Sequence, residues 1–298
     1  MKRQAGVEGK MPAPMSSGEA RHYFSDLDLS RRLEKAEAHS NVTFVEARAR
    51  TSPLSGACWI EVAGAYAMFD GVASPVTQTF GLGLFETPTP EAFEEIERFF
   101  LLRGAPVFHE VSPLAGLGVV AMLNERGYQP VELTSVMYRP LAGKADSGVR
   151  TNERVRVRAI EKHEGDLWAR TTARGWSEFP ELTAFLEELA PISTERRDSV
   201  SFLAELDSEP IATGVLCLGG GVAYLGGACT VPEARKQGAQ NALLASRLRY
   251  AVDEGCDVAM ICTLPGSASQ RNAERNGFRI AYTRIKWGLA PALPPAPT

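Results

Sequence analysis

The sequence predicts an α+β protein built from two halves with a similar order of elements. Three observations support this class. Three strand-like segments follow one another in the second half, a helix–strand–helix–strand series comes next, and the first half repeats the end of that series. Successive strands joined by tight turns favour an antiparallel meander, and the order as a whole favours a layered α+β sheet over a doubly wound one.

The second half carries the clearer pattern. Alternating charged and apolar residues predict its first strand, and Gly255 and Gly277 mark the ends of two of its helices. The predicted order is strand 154–159, helices 166–175 and 180–190, strands 200–206, 211–218 and 222–230, helix 238–254, strand 257–263, helix 267–276 and strand 278–287.

The first half repeats the end of this order between residues 106 and 140. A strand, a helix, the pair Gly127-Tyr128 and a further strand match the later strand, helix, Gly277-Phe278 and strand. The two helices also end alike, in E-R-G-Y and E-R-N-G-F, and helix 91–102 stands where the second half has its long helix. Internal similarity of this kind indicates a duplication. We therefore expect two domains, each with a mixed, mostly antiparallel sheet flanked by helices.

Composition places the domain boundaries. The chain of 298 residues is long enough for two cores of about 150 residues each. A small, polar stretch without apolar periodicity is typical of a linker, and Pro-rich or turn-rich ends are typical of tails. The predicted division is a tail at 1–18, a first domain at 19–141, a linker at 142–153, a second domain at 154–289 and a Pro-rich tail at 290–298.

Charge and residue types exclude several function classes. The net charge of −4 argues against a dedicated nucleic-acid binder but allows a local basic pocket. The five cysteines form no C-x-x-C pair and the four histidines are scattered, so no disulfide framework or metal site is expected. No apolar run approaches the roughly 18 residues of a membrane span, and the N-terminal residues lack the apolar stretch of a secretion signal. We expect a reduced, cytoplasmic protein.

The segment 229–244, CTVPEARKQGAQNALL, has the pattern of a phosphate-binding loop. A strand ends near Val231, and an amphipathic helix begins at Gly238. The first turn of a helix leaves backbone N–H groups unpaired and carries the positive end of the helix dipole, so it attracts anions. Gly238 lets a phosphate approach the backbone closely, and Arg235 and Lys236 add positive charge at the rim.

In this strand–turn–helix context the segment resembles the signature of the GNAT superfamily of acyl-CoA N-acyltransferases, [Q/R]-x-x-G-x-[G/A]. Arg235 and Gly238 match the first two positions, whereas Gln240 stands where the family usually has Gly or Ala. The strand–helix–Gly-Phe–strand ending also fits, so the resemblance spans about residues 154–289. An ordinary loop-to-helix glycine is the alternative explanation for Gly238.

The resemblance implies acetyl-CoA as the acyl donor, with its pyrophosphate at this loop and its pantetheine arm along the end of the fourth strand. Because the family usually transfers the acyl group directly, Cys229 is better explained as a small core residue than as a nucleophile. Ser269 and Asn272 are equally well explained as helix-capping or surface residues. The implied cofactor-binding residues are Cys229, Thr230, Val231, Arg235, Lys236, Gln237, Gly238, Ala239, Gln240, Ser269 and Asn272.

The residues that move protons are harder to identify. Many family members place a tyrosine four residues before the glycine of the Gly-Phe pair, and this chain has Ala273 there. An ammonium substrate must lose a proton before it attacks, so a base is needed. Tyr224, where some relatives carry a glutamate, and Glu178, in the segment that usually shapes the acceptor site, are the candidates. A packed tyrosine and a solvated glutamate are the simpler explanations, and a base acting through ordered water is a further alternative.

The first half lacks the phosphate-binding loop. The corresponding segment, 85–91, reads F-E-T-P-T-P-E, and its negative charge would repel a pyrophosphate. We expect this half to cover the second domain and wall the acceptor site, with Tyr66, Phe69 and Phe80 in its core.

The leading hypothesis is an N-acetyltransferase that moves an acetyl group from acetyl-CoA to the primary amine of a small molecule by direct attack on the thioester. It would need no metal, nucleic acid or membrane. A non-catalytic CoA-binding or regulatory module is the alternative, suggested by Ala273 and Gln240. An interaction protein on a decayed fold is a third hypothesis. The sequence leaves open the acceptor, the acyl chain length and whether the chain forms a homodimer.

Overall fold

The computed structural model describes residues 23–141 and 149–289. The predicted tails at 1–18 and 290–298, and residues 142–148 of the predicted linker, lie outside the described residues.

The first half begins with a long helix and continues through five strands and two further helices. Its elements are α1 (Leu27–Thr51), β1 (Cys58–Val62), β2 (Ala65–Phe69), β3 (Gln78–Phe80), α2 (Pro90–Leu101), β4 (Phe108–Val111), α3 (Leu117–Glu125) and β5 (Tyr128–Pro140).

The second half follows the predicted order closely. Its elements are β6 (Val155–Ala159), α4 (Gly165–Gly175), α5 (Thr183–Glu187), α6 (Leu189–Glu195), β7 (Ser199–Leu206), β8 (Glu209–Gly219), β9 (Val222–Thr230), α7 (Ala239–Asp253), β10 (Val258–Thr263), α8 (Ala268–Arg275) and β11 (Arg279–Leu289).

The strands of both halves form one continuous sheet, in the order β1-β2-β3-β4-β11-β5-β10-β9-β8-β7-β6. Strand β5 pairs antiparallel with β10 on one side and with β11 on the other, and β11 pairs antiparallel with β4. Each half therefore inserts its last strand between the last two strands of the other half. The α+β class is confirmed, and the exchange adds a feature that the periodicity does not predict: the two sheets are joined.

Helix α1 is also absent from the sequence prediction, although its start is well marked. The carboxylate of Asp26 accepts a hydrogen bond from the amide of Leu29 at 3.0 Å, which caps the helix. Its buried face, however, includes Ser30, Glu34, Glu37 and Arg48, so no apolar stripe reveals the helix. The helix packs against β8, β9 and α6 and so carries first-half residues onto the second half of the sheet.

The predicted helix 180–190 is divided into shorter pieces. A 3₁₀ turn at Pro180–Leu182 leads into α5, and a new helix, α6, begins at Leu189. Pro191 explains the division. It lacks a backbone N–H and is tolerated in the first turn of a helix but not in its interior, so a helix that contains it must start just before it.

Helices cover both faces of the second half of the sheet. Helix α7 packs on β6, β7, β8 and β9 from one face, and its own Leu243 is fully buried. Helices α4 and α6 cover the opposite face together with α1. The N-terminus of α7 therefore lies on one face of these strands. A cavity between α1, α4 and α6 lies on the other face.

Candidate active site

The sheet opens between β9 and β10. These parallel strands pair at three positions, Val222–Val258, Ala223–Ala259 and Tyr224–Met260, and diverge beyond them. A β-bulge in β9 widens the gap, because Thr213 pairs with Cys229 while Val215, two residues on, pairs with Gly226. Gly227 lies inside the bulge with φ at +57°, a conformation that glycine adopts readily.

The gap between the strands contains a slot of about 170 Å³. It is lined by Leu244 and Arg247 of α7 and by Asn272 of α8 on one face, and by Trp176 beyond α4 on the other. The slot therefore passes through the sheet. A narrow passage lined by both polar and apolar groups suits an extended chain whose two ends lie on opposite faces.

Arg247 supports the bulge from below. It is fully buried, and its Nη1 donates to the carbonyl oxygens of Val215 (3.1 Å) and Gly226 (3.4 Å), while Nε donates to Leu243 (3.3 Å). A Cβ on Gly214 would lie only 3.1 Å from the guanidinium, so that position needs glycine. Burial lowers the pKa of Arg247 to about 10. Carbonyl oxygens thus compensate a buried cation that also lines the slot.

The N-terminus of α7 adjoins the outer end of the slot, since Gln240 lines it. Gly238 occupies the N-cap with φ at +86° and offers no side chain, and Lys236 also has a positive φ of +65°. Among the described residues, the backbone amides from Lys236 to Asn241 donate to no acceptor. Unpaired amides at the positive end of a helix form an anion-binding site.

The described end of the predicted linker is fastened to this turn. The Nδ2 of Asn152 donates to the carbonyl oxygen of Gln237 at 2.9 Å, and the Nδ2 of Asn241 donates to that of Arg150 at 3.2 Å. A Cβ on Gly238 would approach the Cβ of Asn152 to 3.1 Å. Gly238 is therefore required both by its positive φ and by this close neighbour.

Glu178 lies at this loop rather than in the slot. Its carboxylate pairs with Arg235 at 2.5 Å, and both side chains are about half exposed. The hydrogen bond and charge of Arg235 lower the pKa of Glu178. A carboxylate with a lowered pKa is a weaker proton acceptor, so this position suits an ion pair at the rim better than a general base.

Tyr224 lies at the point where β9 and β10 part. Its hydroxyl donates to Oε1 of Glu37 at 3.3 Å. Burial, and then the nearby Glu37 carboxylate, raise the pKa of Tyr224 well above its usual value. The phenol therefore keeps its proton at neutral pH, so in this state it cannot act as a base and has a proton available.

Glu37 is the residue that the sequence analysis missed. It comes from α1 of the first half, yet its carboxylate contacts two second-half residues at the inner end of the slot: Tyr224 and the Sγ of Cys262, which donates to Oε2 at 3.3 Å. Burial raises the pKa of Cys262 well above its usual value, so this thiol stays protonated. No motif marks Glu37, because only tertiary packing brings α1 to this place.

Glu37 belongs to a buried cluster around Arg284 of β11. The guanidinium of Arg284 contacts Glu37 (2.6 Å), Glu110 (2.9 Å) and Glu34 (3.2 Å). Burial, and the neighbouring carboxylate of Glu37, raise the pKa of Glu34 to about 7, although Arg284 opposes that rise. Lys286 adds a second cation 3.7 Å from Glu110, so three carboxylates face two cations here. The strand exchange creates this charged cluster by placing β11 beside β4.

An acidic pocket of about 480 Å³ opens over this cluster. We use this name for the cavity lined by Glu37, Gln78, Glu110, Glu132, Arg284 and Lys286. It meets the slot at Trp176, Cys262 and Ser269, which line both cavities. The Oε1 of Gln78 is buried without a hydrogen-bond partner among the described residues, so the pocket holds an acceptor that awaits a donor.

The other predicted cofactor residues occupy different places. Ser269 and Asn272 line the slot, as does Gln240, whose Nε2 donates to Thr230 Oγ1 at 2.8 Å. Cys229 is buried against α4, where a Cβ on Gly175 would lie 2.4 Å from its sulfur, and burial raises its pKa. Cys229 and the buried Val231 are thus placed to support the strand through their side chains.

The loop before the corresponding helix of the first half, α2, is capped and filled by side chains. Thr89 caps α2 by accepting from the amide of Ala92 at 3.3 Å, and Pro90 follows it. The ring of Phe85 packs against Gly64 and Gly81, filling the loop before the helix. Phe69 and Phe80 are buried, whereas Tyr66 is half-buried and packs against Trp59 at a centroid distance of 6.0 Å.

Comparison with known proteins identifies the second half. Residues 143–268 match the family model described as an acetyltransferase (GNAT) domain. The chain carries a GNAT acyltransferase domain. The resemblance drawn from Arg235, Gly238 and the Gly-Phe ending is therefore confirmed. A search of curated proteins finds no match to the chain.

Solved structures extend the likeness to the whole fold. A GCN5-related N-acetyltransferase from Kribbella flavida is 17% identical with a TM-score of 0.59, over 83% of this chain and 96% of that one. A second GCN5-related N-acetyltransferase, from Sphaerobacter thermophilus, is 15% identical with a TM-score of 0.54, over 77% of this chain and 78% of that one. A tandem GNAT protein from the clavulanic acid biosynthesis pathway is 10% identical with a TM-score of 0.56, over 91% and 98%. The GNAT fold thus accounts for both halves.

Two further features of the described residues bear on ligands. No group of three or more His, Cys, Asp or Glu side chains in residues 23–141 and 149–289 is arranged to hold a metal ion. Within the same ranges, no helix combines the length and apolarity needed to cross a membrane.

Proposed function

We propose that this chain transfers an acetyl group from acetyl-CoA to the primary amine of a small molecule, by direct attack of the amine on the thioester. One observation carries the proposal. A single slot through the sheet joins an uncapped helix N-terminus, which suits an anion, to an acidic pocket, which suits a cation. Acyl transfer from CoA to an amine needs such an arrangement of opposite charges.

The donor would bind along α7 and β9. Its pyrophosphate would accept hydrogen bonds from the amides of residues 236–241, with Lys236 and Arg235 adding positive charge. Its pantetheine arm would occupy the slot between Ala228 and Asn272. The thioester would then lie at the bulge beside Tyr224, on the face that the acidic pocket opens onto.

The acceptor would bind in the acidic pocket. An ammonium group is stabilised by carboxylates, and Glu37, Glu110 and Glu132 provide them there. The unpartnered Oε1 of Gln78 would accept a hydrogen bond from the same molecule. Since residues of both halves enclose this pocket, a small molecule fits it better than a segment of folded protein.

The proton transfers would run through Glu37 and Tyr224. The Glu37 carboxylate takes a proton from the ammonium, and the neutral amine attacks the thioester carbonyl. The C–S bond breaks and the electron pair leaves with the CoA sulfur. Tyr224 donates its hydroxyl proton to this thiolate and regains one from Glu37, to which it is hydrogen-bonded. The amide nitrogen then loses its second proton to the regenerated Glu37 carboxylate, which releases it to solvent. The products are a neutral amide, free CoA and one proton, and Tyr224 performs the role that a tyrosine at the position of Ala273 has in many relatives.

The test is to incubate the full chain with acetyl-CoA and a panel of small primary amines, following free thiol and analysing the amines by mass spectrometry. Thiol release that depends on one amine, with acetylation of that amine, supports the proposal. Calorimetric binding of acetyl-CoA without transfer to any amine would favour the regulatory module instead. Absence of binding by folded protein would overturn the cofactor site itself.

A further inference from the structure

A second cavity meets the slot and also adjoins the acidic pocket, at Pro75 and Trp176. We name it the apolar branch; its volume is about 270 Å³ and its walls include Phe44, Trp168, Phe185, Leu186, Leu189 and Ile192. It lies between α1, α4, α5 and α6 and the strands β7 and β8. Neither the phosphate-binding loop nor the acidic cluster explains it.

The apolar branch is continuous with the slot at the reacting end. Trp176, Tyr224, Gly226 and Gly227 line both cavities. Trp176 also lines the acidic pocket. A thioester that emerges at the bulge therefore faces a fork, with an acidic direction and an apolar direction.

The chemistry of the two directions assigns their occupants. No carboxylate is among the described residues that line the apolar branch, so an ammonium there would lose its hydration without compensation. Two of the polar side chains in its walls are already paired: Thr172 with Thr213 at 2.9 Å, and Ser201 with the carbonyl oxygen of Ser193 at 3.4 Å. The cation that lines it, Arg196, donates to Ser40 Oγ at 2.5 Å. If the amine binds in the acidic pocket and the CoA sulfur lies in the slot, the acyl chain is the part of the thioester left to enter the apolar branch.

We infer that the apolar branch binds the acyl chain of the donor, so that the transfer proposed for acetyl-CoA extends to donors with a longer chain and is more efficient with them. The cavity has room for roughly nine groups of the size of a water molecule or methylene, far more than one methyl needs. A donor with about four to eight carbons fits it. The inference rests on the proposed acyl transfer and specifies the donor of the same site.

The strand register supplies a scale for the chain. Gly226 of β9 pairs with Val215 of β8, which in turn pairs with Ser201 of β7. Adjacent strands lie about 4.8 Å apart, so Val215 and Ser201 stand roughly 5 and 10 Å from the mouth of the branch. Both residues line the cavity. A larger side chain should therefore exclude shorter chains at Val215 than at Ser201.

The experiment compares acetyl-, propionyl-, butyryl-, hexanoyl- and octanoyl-CoA as donors to one amine, with wild type, Val215→Phe and Ser201→Phe. Each added methylene should raise wild-type kcat/KM about fourfold until the cavity is full, which corresponds to about 0.8 kcal/mol per methylene. Val215→Phe should abolish this gain from butyryl onward, and Ser201→Phe only for the longer chains. Unacylated CoA has no chain, so its calorimetric affinity should be the same in all three proteins and serves as the folding control.

Three results would overturn the inference. If the kcat/KM of the wild type is highest for acetyl-CoA and falls with chain length, the inference is wrong whatever the variants show. Variants that raise the KM of the amine while leaving the chain-length profile unchanged would assign the branch to the acceptor. An equal loss for every donor, with CoA binding intact, would show that the substitutions disturb the thioester site. Failure of every donor with every amine would instead contradict the proposed function.

Discussion

The N-termini of α2 and α7 occupy matching places in the two halves, yet they have opposite chemistry. Helix α2 is closed by the Thr89 hydroxyl, begins with Pro90 and carries Glu91 in its first turn. Helix α7 begins at Gly238, offers no side-chain cap and follows Arg235 and Lys236. The same fold thus presents a sealed, negative end in one half and an open, positive end in the other. The difference teaches that the capping and first-turn residues decide whether such a helix end can accept an anion, while the place of the half in the sheet is kept.

The largest effect should come from closing the open end. Gly238→Glu places a carboxylate beside the pyrophosphate, where repulsion between unit charges about 4 Å apart reaches about 4 kcal/mol at an effective dielectric constant of about 20. We expect the affinity for acetyl-CoA, measured by calorimetry, to fall by at least about 100-fold.

The matched control is Gly255→Glu at the other end of the same helix. Gly255 also has a positive φ, +79°, and has no atom within 4 Å of its added Cβ. This variant carries the same charge and a similar backbone strain, so it should bind acetyl-CoA as wild type does. Equal losses in both variants would contradict the assignment of the anion site to the α7 N-terminus.

A smaller effect should follow from removing the phenol at the slot. Tyr224→Phe deletes the proposed donor to the CoA thiolate, so we expect kcat to fall by about 100-fold while acetyl-CoA affinity is kept. A control change in the first half, Tyr128→Phe, removes a hydroxyl that donates to Glu97 at 3.1 Å and lines neither the slot nor the acidic pocket. It should leave kcat unchanged. Equal kcat in Tyr224→Phe and wild type would exclude the phenol from proton transfer.

Two buried groups of the first half, His109 and Glu34, should make opposite contributions to the pH dependence of stability. Burial lowers the pKa of His109, in the first-half core, to about 3 from its ordinary 6.5. The unfolded chain then binds more protons than the folded one between these values, so stability falls as pH decreases from 6.5 towards 3. Burial raises the pKa of Glu34 to about 7 from 4.5, so through this group stability falls as pH rises from 4.5 to 7.

Thermal unfolding of two variants across pH 4 to 8 separates these contributions. His109→Leu removes two ring nitrogens that are buried without partners, and it should flatten the loss of stability on the acid side. Glu34→Gln should flatten the loss between pH 4.5 and 7, whatever it does to the absolute melting temperature. A profile with unchanged slopes in either variant would contradict the assignment for that residue.

The smallest effect should come from Glu178→Gln. Because Glu178 pairs with Arg235 at the rim and is more than half exposed, its loss should change kcat by less than about threefold. Release of Arg235 towards the pyrophosphate should, if anything, tighten acetyl-CoA binding. A fall of kcat by about 100-fold with normal acetyl-CoA affinity would restore Glu178 as the base.

The sequence was sufficient for the parts of the site that are local. The loop 229–244 carries its own signals, since the strand end, the glycine and the helix start are adjacent in the chain, and the element order of the second half follows from periodicity. Glu37 and Arg284 could not be found in this way. Their roles depend on which helix covers the sheet and on the exchange of β5 and β11, and both are tertiary events without a local pattern.

Helix α1 illustrates the same limit. Its buried face carries Ser30, Glu34 and Glu37 because it packs against charged and hydrogen-bonding groups rather than an apolar layer. An amphipathic search therefore passes over the helix that completes the site. The departure at Ala273, by contrast, is visible in the sequence, whereas the proposal that Tyr224 compensates for it depends on the geometry of the slot.

The central claim is that the first half supplies the base to the slot of the second. Glu37→Gln tests it most directly, with acetyl-CoA affinity measured by calorimetry and amine acetylation measured by thiol release on the same preparation. We predict unchanged affinity and a fall in kcat of about 100-fold or more, since the amide keeps the shape but cannot accept the ammonium proton. Wild-type turnover in Glu37→Gln would contradict the claim and confine catalysis to the second half.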